Sequence, residues 1–517
     1  MSIVLNSMPI GYNLGKDRGN LNHLLFMDDL KLYSRKVEEL DTLVQTVRLI
    51  SEDIGMEFGI SKCAMIEMKR GKIVKNDGIE LPDGERIRSL EIDEAYKYLG
   101  VLQSDKEKSK EMKEIVRKEY FRRLRMILRS GLNSGNTVQA INARAVSIIR
   151  YGAGIIEWTK TELKEIDRKT RKMFTIYHSM HPQGDVDRLY WKRKEGGRGL
   201  LSVQDVVKIE ENSMGFYIKD KEEKLLAEVV REGLFDDSED PKKMKDEVVK
   251  KHKAAFEEKT LHSKFIKETS DVRDNKNSWL WLRKGYLKKE TEGLLLAAQD
   301  QALRTRWIMK NIDKKDVQDK CRLCGERDET VAHIVSECKQ LAQNEYKKCR
   351  HDKVAAMLHW SLCQQYGFPC TEKSYEHVIT KEMRVLENDE VKVLWDFPIQ
   401  TDEKLEHNRP DIAIVKKKKR TCMLIDVACP FDTRIERKEK EKIEVYTDLK
   451  YEILKCWRNE VKTVIIIPVV IGSLGIVTKN LENYLSKIDF APGIEPLQKT
   501  CLLGTARVLR KVLDYQQ

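Results

Sequence analysis

The sequence predicts an α+β multidomain protein, and three observations carry that expectation. Short apolar runs broken by acidic or basic turns read as strand hairpins near both ends of the chain. Between them, apolar residues recur at helical spacing through most of the middle. The chain has 517 residues, enough for two to four domains with sizeable cores, and 35% of them are charged, which implies much solvated helix surface.

Phe26-Met27-Asp28-Asp29 lies between His23-Leu24-Leu25 and Leu30-Lys31-Leu32-Tyr33. The pattern predicts a strand, a tight turn carrying two carboxylates, and a second strand. Adjacent carboxylates of this kind can reach one divalent metal, because hard cations take oxygen ligands. An acidic hairpin turn without a metal has the same pattern. Residues 38–54 place Leu40, Leu43, Val44, Val47, Ile50 and Ile54 at helical spacing, and Gly55 stands where a C-terminal cap belongs. Met56-Glu57-Phe58-Gly59-Ile60-Ser61-Lys62-Cys63 and Tyr96-Lys97-Tyr98-Leu99-Gly100 follow. In order and spacing these segments resemble the later palm boxes of reverse transcriptases, and the run is similar to the polymerases of non-LTR retrotransposons. The resemblance implies that Asp28 and Asp29 are polymerase metal ligands, and that Lys62 and the Tyr98-Leu99-Gly100 hairpin contact nucleic acid. That family needs a third carboxylate on an upstream strand. Only 27 residues precede Asp28 and none is a candidate, so the chain is expected to begin inside a palm and to lack independent polymerase activity.

Residues 105–200 read as helical and basic. Tyr120-Phe121-Arg122-Arg123-Leu124-Arg125 sets aromatic and aliphatic positions beside arginines. In a polymerase this is the thumb, where Arg122 and Arg125 would hold the template–primer backbone through phosphates. An amphipathic helix with solvated arginines fits equally. Gly196-Gly197-Arg198-Gly199-Leu200 predicts a turn at a domain edge. Residues 220–275 are dense in Lys, Glu and Asp and predict a solvated helical linker.

A helical block over 279–312 leads to Cys321-x2-Cys324-x8-His333-x4-Cys338. Cys-x2-Cys forms a knuckle presenting two thiolates, and His333 and Cys338 lie about one helical turn apart. Four soft or borderline ligands with no open position describe a structural zinc site. A redox Cys-x-x-Cys would leave His333 and Cys338 unexplained, and unmetallated thiols are the remaining alternative. His351 reads first as a packing or phosphate-facing histidine and second as a spare candidate ligand. The knuckle, the preceding 297–305 segment and Arg350-His351-Asp352 resemble the junction between polymerase and nuclease in the non-LTR retrotransposons that carry a restriction-enzyme-like endonuclease.

Near the C-terminal end, Arg409-Pro410-Asp411 opens an apolar strand, a basic turn occupies 416–420, and a second strand contains Asp426. Fourteen residues separate Asp411 from Asp426, the layout of Pro-Asp…Asp/Glu-x-Lys nucleases, whose carboxylates meet across adjacent strands and hold Mg²⁺ over the scissile phosphate. Two strand-end acids capping turns are the alternative. Ala428 stands at the usual lysine position, so the lysine is expected from the following helix. Lys438, Lys440, Lys442 and Lys450 lie on it. The retrotransposon endonucleases place a relocated lysine shortly before a tyrosine, which selects Lys442 with Tyr446 and leaves Lys450 in reserve. The strand over 463–471 is expected beside these in a mixed sheet. The 416–420 run reads first as a solvated hairpin tip, then as a nuclear-import signal, then as a DNA-backbone contact.

The resemblance implies a partial reverse transcriptase palm over 1–104, a helical thumb over 105–200, a charged linker over 201–275, a helical region with the knuckle over 276–370 and a restriction-like endonuclease over 371–517. It further implies target-primed reverse transcription in the nucleus, with Mg²⁺ at the polymerase and nuclease sites, Zn²⁺ at the knuckle, and a DNA target and RNA template as partners. A catalytically dead, co-opted nucleic-acid-binding fragment is the alternative. Lys+Arg 96 against Asp+Glu 84 gives +12, an excess that suits a polyanion but is shared by many exposed helical proteins. The longest apolar run, 464–471, contains Pro468 and is too short to span a membrane, and no signal-peptide pattern opens the chain. Eleven scattered cysteines suggest an intracellular protein with reduced thiols.

Overall fold

A computed structural model describes the chain except for residues 15–18, 57–58, 92–93, 104–108, 222, 232, 234–237 and 515–517. Glu57 and Phe58 of the expected Met56–Cys63 segment, and the expected boundary at 104, therefore lie outside the described residues. The fold is mixed α+β. It forms two compact units, each discontinuous in sequence, where the sequence suggested five consecutive blocks. The first comprises Met1–Arg122, Val146–Ile166 and Val203–Met244; the second comprises Arg123–Ala145, Asp167–Ser202 and Lys245–Gln517. Among the described residues no helix is long and apolar enough to cross a membrane.

In the first unit, β1 (His23–Phe26) and β2 (Asp29–Leu32) form an antiparallel hairpin in which Phe26 pairs with Asp29. Met27 and Asp28 are thus the loop residues, and Met27 takes a positive φ of 55°. Asp29 stands at the start of the strand rather than in the turn. Helix α1 (Val37–Asp53) buries Leu43, Val44 and Val47, and Leu43 and Val47 pack with Leu30 and Leu32 of the hairpin. Gly55, at φ 71°, lets the chain leave this helix in the left-handed region. A second hairpin joins β3 (Tyr96–Tyr98) to β4 (Val101–Gln103) through Leu99 and Gly100, both with positive φ. The part of helix α2 (Ser109–Arg129) that lies in this unit buries Met112, Val116, Tyr120 and Phe121.

The second unit is built on a five-stranded sheet: β5 (Val385–Glu387), β6 (Val391–Trp395), β7 (Ile412–Lys416), β8 (Thr421–Ala428) and β9 (Thr463–Val470), in that order. The first four are antiparallel neighbours, and β8 and β9 are parallel. A parallel pair needs a crossover, supplied here by two helices between them, Ile435–Val445 and Thr447–Cys456. Both faces of the central strands are covered, which is why they read as continuous apolar runs. Ile412, Ile414, Met423 and Ile425 face α4 (Asp352–Tyr366), named after α3 (Lys289–Gln299) in chain order. Ala413, Val415, Cys422 and Leu424 face Leu449 and Ile453. The crossover helices are α5 and α6, and α7 (Ile494–Leu513) closes the chain.

A second core in this unit gathers Trp191, Phe256, Phe265, Trp279, Trp281, Leu295 and Leu303. Phe256 meets Trp191 edge-on at 4.7 Å. This corrects the expected solvated linker: Phe256 and Phe265 are core residues, and earlier in the same stretch Val203, Val206 and Val207 are buried. Local charge density misled because each anchor is a single aromatic or a short stripe within a polar helix. The Gly196–Leu200 segment is also interior. Gly197 has no room for a side chain, since a Cβ would lie 2.2 Å from the Trp191 Cβ.

Arg198 sits beside it at 3% exposure. Its Nε lies 3.2 Å from Oε1 of Glu292 on α3, and Arg193 Nη2 lies 2.5 Å from Oε2. Ser134 donates to the same carboxylate at 2.6 Å. Arg188 pairs similarly with buried Asp300.

Candidate active site and metal centre

Asp411 immediately precedes β7 and Asp426 lies on the adjacent β8, so the sheet sets the two carboxylates side by side. They share the floor of an open cleft of about 810 Å³. Asp411 Oδ2 accepts the Val427 backbone N–H at 2.7 Å, and His351 Nε2 stands 3.2 Å from it. Asp426 is only 3% exposed. Its Oδ1 accepts the Tyr446 hydroxyl at 2.7 Å, and Lys442 Nζ lies 2.5 Å from Oδ2. That last contact is a close ion pair, so Lys442 is the partner of Oδ2 as Tyr446 is of Oδ1. Burial raises the Asp426 pKa and Asp411 adds to the rise, while Lys442 and Tyr446 oppose it.

Lys442 and Tyr446 reach the same carboxylate because α5 carries the lysine one turn before the tyrosine. Ala428, at the usual lysine position, is buried in the core. Lys440 instead pairs with Glu436 at 2.8 Å, and Lys450 lies on α6 and is not among the cleft-lining residues. The cleft wall carries Lys347, Arg350, Arg409, Arg434, Arg437, Lys438 and Lys442 against Asp396, Asp411, Asp426 and Glu441. Cations thus surround a small acidic centre.

His351 belongs to this site and not to the cysteine cluster. Its Nδ1 bonds Asp352 at 2.9 Å and its Nε2 the Val427 carbonyl at 2.9 Å. Burial disfavours the imidazolium, but Asp352 and Asp411 outweigh it and push the pKa up to about 11. The Arg350-His351-Asp352 motif was visible in the sequence; its contact with Asp411 was not, since 59 residues separate the two. Arg350 is a structural neighbour, donating to the Val335 carbonyl and Thr505.

Cys321, Cys324, His333 and Cys338 offer donor atoms that all lie within 4.8 Å of one another and could hold a metal such as zinc. Cys321 and Cys338 sulfurs are 3.9 Å apart, and Cys324 Sγ is 3.4 Å from His333 Nε2. A tetrahedron with Zn–S bonds of about 2.3 Å has an edge of about 3.8 Å. Gly325, at φ 69°, makes the knuckle turn, and its N–H bonds the Cys321 carbonyl at 2.8 Å. The short helical turn His333–Glu337 then delivers His333 and Cys338 to one side.

In the first unit the three polymerase-like segments approach one another. Lys31 of β2 donates to Gln103 of β4 at 2.7 Å and lies 5.5 Å from the Tyr98 ring centroid. Tyr96 donates to the Lys62 carbonyl at 2.8 Å, and Tyr151 to the Leu99 carbonyl at 2.7 Å. Asp28, Asp29, Lys62 and Gly100 are exposed, and Tyr98 and Leu99 partly so. Among the described residues no metal-capable cluster includes Asp28 or Asp29. Arg122 is exposed and pairs with Glu119 at 2.6 Å; Arg125 is exposed on the same helix. No family model matches the chain, and no curated protein matches it.

Proposed function

We propose that the second unit cleaves one strand of DNA with a divalent cation, as the nuclease part of a retrotransposon protein acting in target-primed reverse transcription. The observation that carries this is the convergence of Asp411, Asp426 and Lys442 in a cation-lined cleft. The donor set suits Mg²⁺: two hard carboxylates set side by side at the floor of the cleft. A cation bound there would polarise a phosphoryl oxygen and lower the pKa of an attacking water.

The chain's own groups have separable tasks. The Val427 N–H and His351 fix the Asp411 carboxylate. Tyr446 positions Asp426 through Oδ1, leaving Oδ2 for the cation. Lys442 is held beside that oxygen and can shift to offset charge gathering on the phosphate. The surrounding arginines and lysines would bind the flanking phosphates without reading sequence. The Asp28-Asp29 hairpin and its neighbouring Tyr98 hairpin would belong to a polymerase palm, and the RNA template would be that part's ligand.

The test is supercoiled plasmid with Mg²⁺ and purified protein. Nicked circles that vanish with EDTA are expected. Salt-sensitive binding without nicking, by folded and zinc-loaded protein, would sink the nuclease and favour a binding-only fragment.

The Cys321, Cys324, His333 and Cys338 cluster is taken as structural zinc. Such sites contribute on the order of 10 kcal/mol of folding free energy. Cys324→Ser is therefore expected to empty this site and lower the denaturation midpoint of the second unit. Unchanged zinc content and unchanged stability in that variant would refute the assignment.

A further inference from the structure

Beyond the knuckle lies a second cluster of metal-ligating side chains. His359 and Cys363 occupy successive turns on one face of α4, and His377 enters from the extended segment that follows. His359 is fully buried and His377 is 2% exposed. His359 Nδ1 is 2.9 Å from His377 Nε2, and Cys363 Sγ is 3.5 Å from His359 Nδ1. The three donors lie within 4.8 Å of one another. Two imidazoles and a thiol are buried in direct contact, with His359 bonding His377, and one ion would engage all three. Bond lengths of about 2.0–2.1 Å to nitrogen and 2.3 Å to sulfur place such donors roughly 3.3–3.8 Å apart in a tetrahedron. The His359–Cys363 spacing falls in that range, the His359–His377 spacing needs a few tenths of an ångström of expansion, and Cys363 and His377 lie within 4.8 Å of each other. Exposed Cys370, seven residues after Cys363 in the connecting segment, lies outside this 4.8 Å group and would have to swing in to serve as a fourth donor.

We propose that His359, Cys363 and His377 form a second structural zinc site, closed by Cys370. The spacing is His-x3-Cys-x6-Cys-x6-His. An ion there would pin the irregular 367–384 segment to α4, the helix that begins beside His351 at the cleft. The site does not depend on the nuclease assignment.

The experiment is zinc content of the full chain by elemental mass spectrometry. Two ions per chain are expected for the wild type, one after His377→Gln, and one after Cys321→Ser with Cys324→Ser. A single ion that disappears in the double variant, or a zinc content that His377→Gln leaves unchanged, would overturn the proposal. Should the variants not fold, alkylation of the wild type decides. Cys370, exposed in the structure, is expected to resist iodoacetamide until zinc is chelated. Modification of Cys370 in the zinc-loaded protein at a rate that chelation does not alter would overturn it.

Discussion

Asp426→Ala is expected to abolish Mg²⁺-dependent nicking while leaving plasmid binding within a few-fold of wild type. Asp426 is the most buried carboxylate at the site and the meeting point of Lys442 and Tyr446. Losing it removes a metal ligand and releases both partners. Metal assistance supplies several kcal/mol of transition-state stabilisation, and each 1.36 kcal/mol is tenfold in rate, so a loss of roughly 10³-fold or more is expected. Lys442→Ala should cost roughly 10²–10³-fold if its ammonium acts on the phosphate. Tyr446→Phe removes only the hydroxyl that aims Asp426, and roughly 10–100-fold suits an outer hydrogen bond of that kind. Initial nicking rates at saturating plasmid give the ranking. A Lys442→Ala protein as active as wild type would reassign the lysine, because its contact with Asp426 would then be a resting ion pair only.

The second large effect concerns stability. Glu292→Gln is expected to destabilise the second unit by about 3–5 kcal/mol, the usual cost of removing one partner from a buried ion pair. The amide keeps the shape but leaves Arg193 and Arg198 facing each other without a counter-charge. Burial alone would raise the Glu292 pKa; the two guanidiniums outweigh it, and the folded value lies below the ordinary one. The carboxylate's contribution is therefore complete above the ordinary glutamate range and is lost as pH falls through the lower folded value. The measurement is a denaturant midpoint for the second unit at neutral pH and at pH about 4. A variant within about 1 kcal/mol of wild type would show that the cluster is solvated enough to forgive the change.

That cluster also marks where the sequence stopped being informative. Arg198 was expected in a turn at a domain edge and nothing singled out Arg188 or Arg193, because residue type is a guide to burial only when partners are known, and Glu292 and Asp300 lie about a hundred positions away. The sheet was more legible. Strands β7 and β8 are apolar at nearly every position and separated by a short basic tip, so their pairing follows locally. Lys442 and Tyr446 were singled out by the resemblance, since helical position alone left four lysines open; the two meet at one carboxylate because they lie one turn apart. The four-ligand knuckle was legible for a similar reason, its ligands spanning only 321–338. His351 against Asp411 and His359 against His377 needed tertiary structure: neither pair is fixed by a periodicity that joins its two segments. The two discontinuous units escaped notice because charged helices hide isolated core anchors such as Phe256.

Helix α7 takes part in both cores of the second unit. Leu497 and Cys501 pack with the sheet cluster, and Leu502, Ala506 and Leu509 pack with the tryptophan cluster that also contains Cys321 and Cys338. Arg350 lies so close to Gly504 that a Cβ there would meet its side chain at 2.8 Å. During synthesis the sheet strands and the knuckle therefore emerge from the ribosome before the helix that closes both cores has been made. The nascent unit must wait, with apolar surface uncovered, until residues 494–513 arrive. The cleft consequently closes only once α7 has been made, and a chain stalled before α7 would carry every cleft residue without a closed core to hold them.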